Sequence, residues 1–583
     1  MYDNFEICDM PLSLKSNRAR VERFLADNNL RLEDVDYYAV ATDDEGNIVV
    51  GGGLQGNVIK CIAVSEAARE TGLSNKLISH LIRMATEQGA ETIKVFTKPG
   101  NSTIFQSMGF KVLAQAPQAI LMENGVKGIG TYIEYLRKMR GDRPEGAAAI
   151  VMNANPFTKG HRYLVEQAAA MSPTLYVIAV REDRSTFGYQ ERLAMIQAGC
   201  KGLDNVVVVE GSDYAISELT FPTYFLKEVT DATDTHITLD LDLFATHIAP
   251  ALGVKTRFVG SEPIDALTAR YNELMQEQLP QRGIEVKTME RMQQDGQVVS
   301  ASRLRQALAG GSLSQAAALV PPTSVPYLIA HLATDALRTE LDTTPKPGLV
   351  DRNDNGAHKD MNLAMMGRSI DTLQPYLTRI AVYGFNNDEP AAEEVRQIGI
   401  EAEKAMLLAT GGVNTHRGAL FAIGLITLAG SWCMKHDNQV KEQRLQDLIK
   451  QVAGQIPSTA GTHGNDAVNA HRVTGALDFA KDGYARLFKE WLPAYRTYLT
   501  DHASTACHKL LLLIMSQLDD TNVIHRVGYE QAQQVKQESR ALLDNFNISA
   551  MEAMNRDYIA RNISPGGSAD MMALTLFIYS ILN

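Results

Sequence analysis

Asn153-Ala-Asn-Pro-Phe-Thr-Lys-Gly-His161 is the first stretch whose residue types suggest chemistry. It follows an apolar run, Ala147–Met152, and leads into residues at helical spacing, so it reads as a strand, a loop and a helix start. In a parallel sheet, ligands sit beyond the carboxyl ends of strands. A helix start offers free amides and a positive dipole end to phosphate. Gly160 lets backbone come close, and His161 can donate a hydrogen bond to a phosphate as charge grows on it. Asn153, Asn155, Thr158 and Lys159 supply the rest of the loop's polar groups. Val299-Ser-Ala-Ser-Arg-Leu-Arg305 is a second candidate: Ser300 and Ser302 suit helix caps, and Arg303 or Arg305 can fork onto phosphate oxygens. The alternative is a plain turn with a capping histidine, and arginines that only face solvent.

A second family of polar loops begins at residue 340. Thr344-Pro-Lys-Pro-Gly-Leu-Val-Asp351 is too rich in Pro and Gly for a helix. Lys346 and Arg352 suit a triphosphate, while Asp351 and Asp360 suit Mg²⁺, which prefers hard oxygen ligands. Gly412-Val-Asn-Thr-His-Arg-Gly418 adds Asn414, His416 and Arg417, and Gly461-Thr-His-Gly464 adds His463. Asp519, Asp520 and Arg526 follow an apolar helix at Leu510–Met515, with the two aspartates as further Mg²⁺ candidates. Ser564-Pro-Gly-Gly-Ser-Ala-Asp570 closes the set. Bundles of helices build sites from side chains on facing helices, so five polar loops in apolar surroundings point to one site.

Three kinds of element must position these groups. The chain has 583 residues, more than one core can use. Residues 1–140 mix strands (Tyr37–Thr42, Ile48–Gly53, Asn57–Val64, Thr92–Thr97) with a helix near Ser74–Gln88. Residues 145–322 alternate strands with helical stretches, the rhythm of a doubly wound parallel sheet. The expected strands are Ala148–Met152, Thr174–Ala179, Asn205–Glu210, Thr235–Leu239 and Thr256–Val259. Residues 327–583 lose strand signals and predict an all-α domain. The fold expected is therefore multidomain: an α/β module, a parallel α/β domain, then a helical domain.

Composition narrows the function. A net charge of −12 argues against general nucleic-acid or anionic-membrane binding. The five cysteines (Cys8, Cys61, Cys200, Cys433, Cys507) form no CxxC pair, which suits a reducing cytoplasm and argues against structural zinc or disulfides. Met1–Arg20 lacks a signal peptide's apolar core, and the apolar run Met571–Leu582 is short for a membrane span.

Residues Asn153–Gln167, Phe258–Pro263, Thr268, Tyr271-Asn272 and Ser300–Arg305 resemble the nucleotidyltransferase superfamily and, within it, citrate lyase ligase over about the first 320 residues. Thr158 stands where many superfamily members carry a first histidine, and it agrees with that family. The resemblance implies that acetate attacks the α-phosphate of ATP, giving acetyl-adenylate and pyrophosphate. The acetyl group then passes to the thiol of a dephospho-CoA-derived prosthetic group on the acyl carrier subunit of citrate lyase. Arg69-Glu-Thr-Gly-Leu-Ser74, with Asn101, Phe105 and Gly109-Phe110, resembles the CoA-binding turn of the GNAT acetyltransferase fold. This implies that Arg69 and Gly72 face a pyrophosphate in a binding role, since no general base for acetyl transfer is evident.

From Tyr327 to Asn583 the polar loops resemble triphosphoribosyl-dephospho-CoA synthase, with Leu477 where that family usually has Arg. The implied reaction joins the 2′-hydroxyl of dephospho-CoA to the ribose C1′ of ATP and expels adenine. A base, an acid and stabilisation of oxocarbenium-like charge are then needed. Asp351 is the expected base, and His358 or His416 the expected acid. ATP and Mg²⁺ are the expected cofactors. Two alternatives stand beside this reading: a phosphopantetheine-type adenylyltransferase fused to an all-α phosphohydrolase, and a non-catalytic assembly factor for citrate lyase.

Overall fold

The computed structural model describes residues 5–69, 71–182, 185–214, 229–262, 265–457 and 475–583, side chains at 229–231 apart. It divides into two units, one made of Met1–Asn155 and Gly160–Val298, the other of Pro156–Lys159 and Val299–Asn583.

The first unit holds three sheets, the smallest a two-stranded hairpin of Gln293–Gln294 and Gln297–Val298. One has seven strands: β1 (Cys8–Asp9), β2 (Tyr37–Thr42), β3 (Ile48–Gln55), β4 (Val58–Val64), β5 (Thr92–Thr97), β6 (Lys111–Gln115) and β7 (Ile120–Gly125). Their order is β1-β2-β3-β4-β5-β7-β6. Neighbours run antiparallel except β4 and β5, which pair in parallel only at Val58↔Lys94 and Ile59↔Val95. The helix Leu73–Glu87 buries Leu77, Ile78, Leu81 and Ala85 against the sheet, as their helical spacing predicts.

The second large sheet has five parallel strands: β8 (Ala147–Met152), β9 (Leu175–Ala179), β10 (Val206–Glu210), β11 (Val254–Gly260) and β12 (Glu285–Met289), in the order β10-β9-β8-β11-β12. The order reverses at β8, so the crevice for a ligand opens beyond the carboxyl ends of β8 and β11. The loop Asn153–Thr158 leaves β8 at that end.

One expected element is corrected. Thr235–Leu239 lies inside a helix, Val229–Leu243, not in a strand. Its alternation of apolar and polar residues has another cause. Ile237, Leu241 and Phe244 pack into the core of the parallel sheet, while Ala232, Leu239 and Leu243 pack into the core beneath the seven-stranded sheet. A helix buried on two faces mimics period-two patterning.

The second unit is helical, with no strand among its described residues. Helices Val325–Asp342, Leu363–Asn386, Arg417–Asp437 and Gly566–Leu582 pack on one another at its centre. Arg417–Asp437 is apolar and long enough to cross a membrane, but 78% of its apolar window is buried inside the chain, as befits a core helix.

Candidate active sites

In the parallel sheet, Arg192 organises the carboxyl-end loops. It is fully buried on the helix Tyr189–Cys200. Its guanidinium donates to the carbonyls of Asn153 (2.6 Å), Val180 (3.0 Å), Glu182 (2.5 Å) and Phe187 (3.1 Å). One side chain thus ties the loop after β8 to the loop after β9. Asn155 adds a bond by accepting from the Phe187 amide at 3.0 Å, and Asn153 donates to Ser185 Oγ at 3.4 Å. Ala154 between them adopts a left-handed φ of +47°, a conformation that costs a residue with a Cβ and marks a held loop.

Gly160 and His161 open the helix Lys159–Ala170. Burial, and then the Arg291 charge, push the His161 imidazole down to about 4. It is therefore a neutral ring at working pH and acts as a hydrogen-bond donor, not as a cation. Arg291 itself donates to the Ser261 carbonyl at 2.5 Å and pairs with Glu262, directly after β11. The groups at the crevice are thus fixed from both strands beside the reversal point.

The second unit carries the remaining residues of these two motifs. Thr158 is buried at 1% exposure. Lys159 donates its ammonium to the Ala318 carbonyl at 2.7 Å. Ser300 caps the helix Ala301–Ala309 by accepting from the Arg303 amide at 3.2 Å. Ser302 accepts from Arg305 at 3.1 Å. Arg303 Nη1 is buried and has no hydrogen-bond partner among the described residues. A buried donor left in that state suits an arriving anion.

Beside the seven-stranded sheet, Gly72 caps the helix Leu73–Glu87 with a left-handed φ of +79°, and Arg69 is exposed just before it. A Cβ added at Gly72 would meet nothing within 4 Å. Lys94 of β5 is buried and donates to Asp213 Oδ2 (2.8 Å) and to the Asp213 carbonyl (2.9 Å), with the Tyr214 ring 3.9 Å below its ammonium. Tyr214 in turn donates to the buried Glu123 at 2.7 Å. The segment after β10 is thereby anchored on the seven-stranded sheet. Burial raises the Cys61 thiol to about 11, which makes it a poor nucleophile.

In the helical unit, the polar loops divide into staples and a central cluster. Gly348 is a staple. Its φ is +72°, an added Cβ would overlap the Ile563 carbonyl, and its amide donates to Asn555 Oδ1 at 2.8 Å. Asp351 is another: it is buried and accepts from the amides of Lys346 (3.0 Å), Asn353 (2.7 Å) and Asp354 (3.2 Å). Three amide bonds thus close its own loop on the carboxylate. Lys346 is 1% exposed and pairs with Glu340 at 2.5 Å, so it neutralises a buried carboxylate where a triphosphate contact was expected. Arg352 pairs with Asp342 at 2.8 Å on the surface, and Arg417 pairs with Glu403. Asn414 accepts from the Arg417 amide at 3.2 Å, an ordinary helix-start contact.

The central cluster lies where the helices Arg417–Asp437 and Gly566–Leu582 begin. His416 is 3% exposed; its Nδ1 meets Ser369 Oγ at 2.8 Å, and its Nε2 is buried without a partner among the described residues. Burial, and then the Lys346 charge, push His416 down to about 4. Asp520 caps the helix Thr521–Val527 and accepts from Ser568 N (2.7 Å) and Ser568 Oγ (2.9 Å). Asp570 stands one turn further on. An added Cβ on Gly418 would overlap its Oδ2, so only glycine lets this carboxyl lie on the start of Arg417–Asp437. Burial, and then the charges of Glu340 and Asp520, hold Asp570 well above the usual carboxylate range, against the pull of the Ala419 amide.

His358 belongs to a neighbouring group. Its Nε2 meets Ser564 Oγ at 2.8 Å, and its Nδ1 meets Arg526 at 3.1 Å. Arg526 also donates to the Ala357 carbonyl at 2.8 Å, so it clamps two loops. Burial, and then the Arg526 charge, lower the His358 pKa. His463 lies outside the described residues. Leu477 is half-buried in the short helix Ala476–Lys481.

The four expected Mg²⁺ ligands do not form one site. Asp351 and Asp520 are saturated by protein donors, Asp519 pairs with Lys536 at 2.9 Å, and Asp360 is exposed beside His358. Among the described residues, no three His, Cys, Asp or Glu side chains come together as a metal centre.

Sequence reasoning missed Arg192 and Arg291 and left Asp570 without a role. Arg192 had a signal, a lone arginine among Leu193, Met195 and Ile196 on an apolar helix. Arg291 had none, since its place depends on where β12 ends.

Family models match in tandem. The acetyltransferase (GNAT) domain matches residues 17–128, the citrate lyase ligase C-terminal domain residues 147–328, and ATP:dephospho-CoA triphosphoribosyl transferase residues 326–583. A [citrate [pro-3S]-lyase] ligase of Klebsiella pneumoniae is 41% identical over 54% of this chain and 93% of its own length. The ligase of Escherichia coli K12 is 38% identical over 58% of this chain and 98% of its own. A Vibrio cholerae protein named "Probable 2-(5''-triphosphoribosyl)-3'-dephosphocoenzyme-A synthase" is 36% identical over 45% of this chain and 90% of its own. The chain therefore belongs to two families in succession, citrate lyase ligase in its first half and triphosphoribosyl-dephospho-CoA synthase in its second.

Proposed function

We propose that the chain is a bifunctional enzyme for maturing citrate lyase. One half activates acetate with ATP and acetylates the prosthetic-group thiol of the lyase's acyl carrier subunit. The other half builds the precursor of that group from ATP and dephospho-CoA, releasing adenine. The observation that carries this reading is coverage: the chain spans 93% of a ligase and 90% of a synthase, one after the other. Neither a phosphopantetheine adenylyltransferase nor a phosphohydrolase accounts for both matches.

In the ligase half the nucleophile is a carboxylate and needs no base. Catalysis is positioning and charge stabilisation. His161, neutral and at a helix start, donates a hydrogen bond to a phosphate oxygen whose charge grows in the transition state. In the second unit, Arg303 has an Nη1 without a partner among the described residues, which suits an anion. Arg192 holds the loops that carry Asn153 and Asn155. The helix start at Gly72 is suited to the pyrophosphate and pantetheine arm of the prosthetic group. We assign it a binding role.

In the synthase half ATP is attacked at carbon. A hydroxyl must lose its proton, and adenine must leave with the bonding electrons. His416 presents a bare Nε2 to the buried cluster, and, uncharged at working pH, it is available as a hydrogen-bond partner for the purine or the sugar. Mg²⁺ is not assigned to residues of this chain.

The test is chromatography of nucleotide products from the full chain with MgATP. AMP should form only with acetate and a reduced carrier thiol, and adenine only with dephospho-CoA. AMP formed with phosphopantetheine instead of acetate, or adenine absent under all conditions, would contradict the respective half of the reading.

A further inference from the structure

We propose that Asp570 is the general base of the helical unit, taking the proton from the attacking hydroxyl. This rests on the adenine-releasing reaction proposed above.

The argument is one of elimination by geometry. A base needs a carboxylate or imidazole that is not already spent, at a place where a ligand can come. Asp351 is closed by three amides. Glu340 is paired to Lys346. Asp520 accepts from Asn522 N, Val523 N, Ser568 N and Ser568 Oγ. Among the described residues, Asp570 is the remaining acid of the cluster, held by one backbone amide, that of Ala419. The residue keeps partial exposure where these three are buried. Gly418 leaves it room on the first turn of Arg417–Asp437. At the residue that caps that helix, His416 Nε2 is buried without a hydrogen-bond partner among the described residues, an independent sign that a polar ligand completes this cluster.

The surroundings tune the group. Glu340 and Asp520 face it with like charge, Lys346 and His416 lie beside them, and His358 with Arg526 flanks Ser564 just before its helix. Such crowding favours the proton-bound form and brings the carboxyl toward the pH at which a base works best.

The step balances. The hydroxyl proton goes to Asp570 as the new O–C1′ bond forms. The C1′–N9 bond breaks, and its electron pair leaves with adenine. Adenine then takes up one proton, so none is gained or lost overall and no further reactant is required.

The experiment is adenine release by the full chain with MgATP and dephospho-CoA, for wild type and Asp570→Asn. The variant should lose about 100-fold or more in kcat with little change in the KM for ATP. AMP formation from acetate should be retained, and an unchanged denaturant midpoint shows that the helical unit is folded. The wild-type rate should fall on the acid side of its pH profile, and that limb should be missing from the variant's residual rate. Adenine release within threefold of wild type, with the acid limb unchanged, would overturn the assignment while leaving the proposed function intact. A flat wild-type profile overturns it without any variant. Wild-type protein that releases no adenine takes down the reaction and the base together.

Discussion

The crevice at β8 and the helical cluster at Asp570 solve one task in opposite ways. Both must present donors and acceptors to a triphosphate nucleotide. The parallel sheet does it with topology: the strand order reverses, two loops leave the same edge, and a helix start supplies amides. The helical unit has no such edge. It bends loops back between helices, and most polar residues of those loops are used up in holding the bends. Lys346, Asp351 and Arg526 are the clear cases, each bound to a protein partner in the fold. A motif residue in a sheet crevice is therefore a better guide to ligand contact than one in a bundle loop.

Breaking the two regions should give different failures. The largest effect is expected at Lys346. Lys346→Ala strands Glu340 in the interior and should cost about 3–5 kcal/mol, seen as a lower denaturant midpoint. A loss below about 1 kcal/mol, near the surface-pair range, would show that the pair is not buried in solution. His161→Ala comes next. It should reduce AMP formation by about 100- to 1000-fold, because it removes a donor at the crevice.

The pH dependence sharpens the contrast. His416 has a folded value of about 4, below its unfolded value. Stability is thus full above the unfolded value near 6.5 and declines as pH falls toward 4, by on the order of 3 kcal/mol in total. His416→Gln should flatten that decline in denaturant midpoints taken from about pH 7 to pH 4. The smallest effect is expected at Arg352. Its ion pair with Asp342 is exposed, so Arg352→Ala should change stability by less than about 1 kcal/mol.

Legibility in the sequence follows the same division. The parallel sheet was readable because its strands are short apolar runs ending in turn residues, and the loop Asn153–His161 announces itself by Pro, Gly and polar residues after such a run. The helix Val229–Leu243 was not, because two cores bury alternate residues of it. In the helical unit the loops were readable, but the division of labour within them was not. Lys346 and Asp351 look identical to ligand residues until their partners, Glu340 and the loop amides, are placed. Asp570 was visible only as the end of a Gly-rich turn; its significance comes from Gly418, a distant residue whose missing side chain makes room for it.

The central claim is that two separate sites on one chain break different bonds of ATP. The direct measurement is a crossed product analysis of His161→Ala and Asp570→Asn, with AMP and adenine quantified from the same preparations. The account predicts that the first variant loses AMP and keeps adenine, and that the second does the reverse. Parallel loss of both products in either folded variant would contradict it.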